Sequence, residues 1–226
     1  GKRLELTMPE GVRKVLHTQD ADQVSSAVWS PAGDRLVYAS RSGNPFAGEP
    51  IVGAVRTVRL DGSVTDVAAG PYLYGQPRWS PSGWLAFSWT ELTAAEIGYW
   101  ATPRQVTVVQ PDGTTRQIAG QDGTSLEYPI WDTDDERIIA VTGEGSNIIV
   151  ALDPVSGAQQ VLYTATDQAS YPSLSPDGEL LSFFLGASFE AGSYVVTPTV
   201  GGLIEFDISG EHRVWASSPV LWAPLR

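Results

Sequence analysis

Any chemistry in this chain would have to begin from two histidines, His17 and His212, and from the acidic run "WDTDDER" at 131–137. His17 lies in a strand-like run near the start and His212 in the turn after "FDISGE"; neither stands beside an evident nucleophile. No G-x-S-x-G elbow, H-E-x-x-H pair, Gly-rich phosphate loop or intact Asp-box (S-x-D-x-G-x-x-W) is present. The usual carriers of acyl-transfer, zinc-peptidase and nucleotide chemistry are therefore missing. Glycoside hydrolysis asks only for two suitably spaced carboxylates, and 26 acidic residues leave such a pair open. "WDTDDER" invites a calcium loop, but it lacks the glycine and the distal bidentate Glu of an EF-hand. The competing reading is a turn whose Asp side chains hold backbone N–H groups. With no cysteine, neither a disulfide framework nor a thiolate metal site is possible. We assign no catalytic residue, no metal and no cofactor from the sequence.

Charge narrows the partners. The formal net charge of −12 comes with no basic stripe, which argues against nucleic acid and anionic membranes. It fits a well-solvated exterior or a basic partner drawn in electrostatically. No apolar run approaches the roughly 18–20 residues of a membrane-spanning helix. The composition, 42% hydrophobic and 10% aromatic, is that of a folded chain. The best helix candidate, "ELTAAEIGYW" at 91–100, is weakened by Gly98 and Pro103.

The elements show themselves through repetition. "AVWSPAGDRLVYAS" (27–40), "PRWSPSGWLAFSW" (77–89), "PIWDTDDERIIAVT" (129–142) and "PSLSPDGELLSFF" (172–184) are variants of one pattern, and "PVLWAPLR" (219–226) is a broken copy. Their anchors Trp29, Trp79, Trp131, Leu174 and Trp222 are 50, 52, 43 and 48 residues apart. A second series, Gly11, Gly62, Gly113, Gly157 and Gly210, runs out of phase at spacings of 51, 51, 44 and 53. Each of these glycines separates two β-rich runs, such as "VRTVRL" and "VTDVAA". One unit is therefore four strands, A to D, with an A–B turn at the Ser-Pro motif and a C–D turn at the glycine. Four-stranded units of this length around a ring make an all-β β-propeller. Strands are expected near 27–30, 35–40, 55–60, 64–68, 78–80, 84–89, 104–110, 115–119, 136–142, 147–152, 158–163, 180–185, 203–208 and 212–216. The anchor tryptophans are expected to pack against the neighbouring blade.

The pattern P-x-W-S-P-x-G-x-[LI]-x-[FY], best kept at Pro77–Phe87 and Pro172–Phe183, resembles the repeat of TolB-like propellers, built around a "W-S-P-D-G" turn. The resemblance covers essentially the whole chain. It implies the fold and leaves the activity open. Such repeats occur in periplasmic translocation proteins, in the propellers of prolyl-oligopeptidase-like enzymes and in bacterial surface modules. The TolB propeller has six blades and an added α/β domain. This chain has too few copies for six.

"KRLELTM" and "VRKVLHT" around "PEG" read as strands C and D without A or B, while "PVLW" near the end reads as strand A. The expectation is a single domain over 1–226 with five blades, the termini meeting in one. A partial six- or seven-bladed ring is the alternative. Function is expected on the face carrying the B–C loops and the D-to-A connections, because long, dissimilar loops on a rigid scaffold are where binding resides. The B–C loops are expected at 40–54, 90–103 and 186–202, against the short 143–147. The candidate binding residues are Tyr72, Tyr74, Tyr128 and Tyr171 in the connections, and Phe46, Glu49, Glu91, Glu96, Tyr99, Trp100, Phe189 and Glu190 in the loops. Rings beside carboxylates suit a peptide with basic or apolar side chains, and would also suit sugar stacking. The expected role is a non-catalytic binding module or scaffold for a protein or peptide, periplasmic or extracellular. A carbohydrate-binding or glycoside-hydrolysing propeller is the alternative. Tyr128 and Tyr171 could equally serve only to plug the channel.

Overall fold

The computed structural model describes residues 2–7, 11, 13–19, 23–25, 27–44, 48–95, 98–186 and 192–199. Strands β1 (Lys2–Thr7) and β2 (Arg13–Gln19) pair as an antiparallel hairpin. The first full sheet has an inner strand in two pieces, β3 (Gln23–Val24) and β4 (Val28–Trp29), then β5 (Arg35–Ser42), β6 (Val52–Arg59) and β7 (Val64–Gly70) in spatial order. The second repeats it. β8 (Tyr72–Tyr74) and β9 (Arg78–Trp79) pair with β10 (Leu85–Ala95), whose far end also pairs with β11 (Gly98–Ala101); β12 (Gln105–Val109) and β13 (Thr115–Ile118) complete the sheet. The third is β14 (Glu127–Trp131), β15 (Ile138–Thr142), β16 (Ile148–Leu152) and β17 (Gln159–Thr164). The fourth contains β18 (Ala169–Leu174), β19 (Leu180–Leu185) and β20 (Ser193–Pro198). The inner strand β14 touches β9 on one side and β18 on the other, and β9 touches β4. The sheets are thus consecutive blades of a propeller, strand A innermost.

Apolar residues fill the gaps between blades. Strand β15 illustrates why its sequence, "IIAVT", does not alternate polar with apolar. Ile138 and Ala140 pack with Ala86, Val106 and Val108 of the second blade, while Ile139 and Val141 pack with Leu181, Phe183 and Val195 of the fourth. A sheet covered on both faces has no polar side. Val37 and Val55 meet Leu85 and Phe87 in the first gap. Leu16 of β2 closes over Leu36, Tyr38 and Val58 on the other side of the first blade.

Both turn families hold by side-chain capping. Ser80 and Ser175, each following its anchor, accept the N–H of Trp84 (3.0 Å) and Leu180 (2.9 Å) with their hydroxyls. Gly33, Gly83 and Gly178 supply the left-handed φ the turn needs, at 67, 87 and 74°. In the C–D turns, Asp61 and Asp112 accept the N–H two residues on, from Ser63 and Thr114, each at 2.8 Å. Asp153 does the same for Val155 (2.8 Å) and Ser156 (2.6 Å). The backbone bonds hold the Asp112 and Asp153 carboxyls below the ordinary carboxylate value, and the Ser63 hydroxyl, then its N–H, does so for Asp61.

Several expectations need correction. The loop expected at 90–103 is a hairpin: β10 runs to Ala95 and β11 returns over 98–101, its base tied by the Glu91 N–H to the Thr102 hydroxyl (3.1 Å). The loop expected at 186–202 contains strand β20, which pairs with β19 over 193–198 as the fourth blade's C strand. "SYVVTP" carries the β-branched pairs that mark a strand. The loop expected at 40–54 shrinks to 43–51 because β5 and β6 run further. Inner strands also extend before their anchors, at 23–24, 72–74, 127–131 and 169–174. Of the anchors, Trp131 is buried (8% exposed), whereas Trp29 is 43% exposed rather than packed in a core. The expected strands at 203–208 and 212–216, Gly210 and the copy at 219–226 lie outside the described residues.

Candidate functional site

Three residues before each anchor, the inner strand cannot run straight. In the first two blades it breaks there, between β3 and β4 and between β8 and β9. In the third and fourth, Pro129 and Pro172 follow the critical position, and a proline has no N–H for the ladder. The chain answers with a bulge, between Glu127 and Ile130 and again between Ser170 and Ser173. Tyr128 and Tyr171 sit in these bulges, each at a left-handed φ of 53°. A bulge re-aims its side chain, and here it brings the two rings together, centroids 4.7 Å apart and planes tilted by 45°.

The pair opens onto a cavity of about 160 Å³ bounded by the inner ends of the second, third and fourth blades. Arg78, Arg104, Glu127, Gln76 and Ser88 line it with the tyrosines. Arg104 pairs with Glu127 at 3.2 Å, and its main chain is fixed by the N–H of Leu126 (2.9 Å) and the hydroxyl of Ser125 (3.1 Å). Arg78 donates to the Gln76 amide oxygen (2.9 Å) and to the Pro77 carbonyl (3.3 Å). Burial holds its pKa below the ordinary arginine value. Burial first, then the nearby Tyr171 and Glu127, push the Tyr128 phenol up to about 12. Gly75 keeps the wall thin: a Cβ there would lie 2.2 Å from the Ser88 hydroxyl. The arrangement offers phenol hydroxyls, two guanidinium groups and one already-paired carboxylate. It can bind and orient an oxygen-rich group.

Of the expected residues, Tyr128 and Tyr171 lie at this cavity. Tyr72 and Tyr74 do not. They pack edge-on against Trp89 (4.9 Å) and Phe87 (5.8 Å), and Tyr74 joins the apolar gap between the first two blades. Glu49 is exposed and its carboxylate accepts the Asn44 N–H at 3.0 Å, closing its own loop. Glu91 is exposed at the base of the β10–β11 hairpin, which also carries the backbone of Tyr99 and Trp100. Phe46, Glu96, Phe189 and Glu190 lie outside the described residues. Arg78, Arg104, Gln76 and Glu127 were not anticipated. Arg78 had a signal: aligned on the anchors, the preceding residue is Val28, Arg78, Ile130 or Ser173, so one copy alone is charged.

The acidic run of the third blade is a turn. Asp132 replaces the turn serine and is gripped by Arg137, Asp134 accepts the Glu136 N–H (3.1 Å), and Asp135 reaches the second blade to accept the Ser82 N–H (2.8 Å). Among the described residues no three His, Asp or Glu side chains gather as metal ligands would. A second, larger groove of about 480 Å³ opens between the turns of the first two blades. Its charged residues are committed within the fold, Asp34 to Arg35 and Asp66 to Arg56, and Arg35 covers the Trp79 ring at 5.8 Å.

The fold is that of TolB-like β-propellers. Among solved structures, the chain is similar to TolB from Acinetobacter baumannii (16% identity, TM-score 0.63), covering 90% of this chain and 48% of that one. It is similar also to an oligogalacturonate lyase in complex with manganese (17%, TM-score 0.63; 84% and 55%). A TolB-type protein of Agrobacterium tumefaciens matches over 92% of this chain and 90% of its own (13%, TM-score 0.54). The chain thus spans about half the length of the first two. Neither protein-family models nor curated protein sequences match it. At such identities the likeness concerns the fold alone, which TolB shares with enzymes. Among the described residues no helix is long and apolar enough to cross a membrane.

Proposed function

We propose that this chain is a non-catalytic binding module whose inner-strand face takes a protein or peptide partner, outside the cytoplasm. The observation that supports this most is the cavity between the second, third and fourth blades, with Tyr128 and Tyr171 at its edge in matching bulges. Left-handed φ at a bulky residue costs about 1–3 kcal/mol, and aromatic anchors in a pocket dominate peptide recognition. The β10–β11 hairpin extends the strand that carries Ser88 of the lining and would supply further surface. The resemblance to TolB-like propellers supports the extracytoplasmic placement, which fractionation of the native host would test.

The decisive experiment selects peptides from a random library on the immobilised chain, then compares Y128A/Y171A with the parent. Loss of the selected peptides with an unchanged circular dichroism spectrum is expected. Adding W100A and E49A extends the test to the loops. Retained affinity there, with loss on altering the Ser-Pro turns, would place binding on the opposite face. A glycan array with a reducing-sugar assay tests the carbohydrate reading.

A further inference from the structure

The charges at the cavity run against those of the chain. Overall the chain carries 26 acidic and 14 basic residues. At the cavity the charged lining is Arg78, Arg104 and Glu127, an excess of one positive charge. Glu127 is held by Arg104 at 3.2 Å. Arg78 has only neutral partners, the Gln76 amide and the Pro77 carbonyl, and no carboxylate within ion-pair distance among the described residues. A guanidinium has five N–H donors in a planar fork. Its natural complement is a carboxylate taken bidentately, which neutral oxygens do not replace. A partly buried cation without a counter-ion is costly, and the cost falls when an anion arrives.

We propose that Arg78 is the anchor for a carboxylate entering this cavity, with the hydroxyls of Tyr128 and Tyr171 at its edge as further donors. The proposal rests on the peptide-binding reading above and reverses the charge expected from sequence, where glutamates suggested a basic peptide. The carboxylate is an acidic side chain or chain terminus of a peptide, or a free small dicarboxylate. Desolvation favours the charge-assisted bond over its neutral counterpart.

The test uses the isotope-labelled full chain and follows the Arg Nε–Hε signals at low ionic strength, where such a contact is least screened. The probes are sodium glutarate, a terminally blocked pentapeptide with one central glutamate among glycines, and its glutamine counterpart. The glutamate peptide or glutarate should shift the Arg78 signal saturably. The glutamine peptide should bind at least about tenfold more weakly, as expected for loss of a charge-assisted bond. Because the variants lack that signal, they are followed by the backbone amide signals of the cavity residues Tyr128 and Arg104: R78M should abolish the response there and R78K should weaken it. Trp131 bonds only the main-chain carbonyl of residue 78, so these replacements spare the tie between blades, as the near-ultraviolet spectrum would verify. Tighter binding of the glutamate peptide than of glutarate assigns the carboxylate to a peptide; the reverse assigns it to a free dicarboxylate. An unchanged response in R78M, or no response to any probe, overturns the proposal. Equal binding of both peptides, lost in Y128A/Y171A, also overturns it but leaves the peptide reading standing. Glutarate binding with neither peptide bound defeats the peptide reading and keeps the carboxylate.

Discussion

Tyr128 holds its proton unusually hard, and this can be read in solution. Its phenol titrates near 12 in the fold, against an ordinary value near 10. Between those values the folded state binds more protons than the unfolded one, so stability falls as pH rises through that window and is independent of this group below it. Difference absorbance between the parent and Y128F should show a phenol ionising well above the ordinary value; a difference centred near pH 10 would contradict the burial. The residue scale also shows what a sequence conceals. Tyr-Pro twice before an anchor marks the position, and the proline explains the bulge. Glu127 lines the same cavity as Arg78 and Arg104 only because the third inner strand lies beside the second blade, a proximity that no local pattern encodes.

At the scale of elements, two of the anchor tryptophans do more than fill space. Trp79 donates its indole N–H to the Val28 carbonyl (3.3 Å), and Trp131 donates to the Arg78 carbonyl (3.1 Å). In both cases the acceptor is the residue just before the anchor of the preceding blade, so the bond fixes blade against blade in register. W131A should cost roughly 3–5 kcal/mol. W131F, which keeps a ring but removes the bond to the carbonyl, should cost less, about 1–3 kcal/mol; a W131F chain as stable as the parent in denaturant melts would show that the hydrogen bond contributes nothing. The third A–B turn offers a sharper test. Asp132 is 4% exposed and depends on Arg137. R137A should cost roughly 2–4 kcal/mol by stranding that carboxylate. D132S in the same background should recover much of it, since serine fills this place in the other three turns. A double variant no better than R137A would mean that the arginine acts by packing alone. The repeat made these elements legible, because anchor and turn glycine recur in every unit. The elements that escaped were those the repeat does not share: the β10–β11 hairpin is an insertion in one blade, and β20 follows a connection unlike the others.

For the whole molecule, the N-terminal hairpin states which part of a blade it is. In the first blade, pairs Val58–Val64, Thr57–Thr65 and Arg56–Asp66 precede a bulge at Val55. In the third, Leu152–Gln159, Ala151–Gln160 and Val150–Val161 precede one at Ile149. In the hairpin, Thr7–Arg13, Leu6–Lys14 and Glu5–Val15 precede one at Leu4. Three pairs and then a bulge is how strands C and D pair in the first and third blades, though the second runs four pairs without one, and β2 packs Leu16 on the first blade as an adjoining outer pair would. A blade needs strands A and B inside such a pair, or its inner edge stays open. The indole rule points the same way. Trp29, 43% exposed, should reach for the carbonyl before an anchor of the preceding blade, and the copy around Trp222 is the segment whose sequence offers one. Deleting 218–226 should then lower the melting temperature far more than trimming a free tail, by about 2–4 °C for each kcal/mol lost. W29F should cost little in the deleted chain and about 1–3 kcal/mol in the intact one, because only there does the indole have its partner. An unchanged melting temperature on deletion, or equal effects of W29F in both backgrounds, would show that the hairpin is completed by strands from elsewhere.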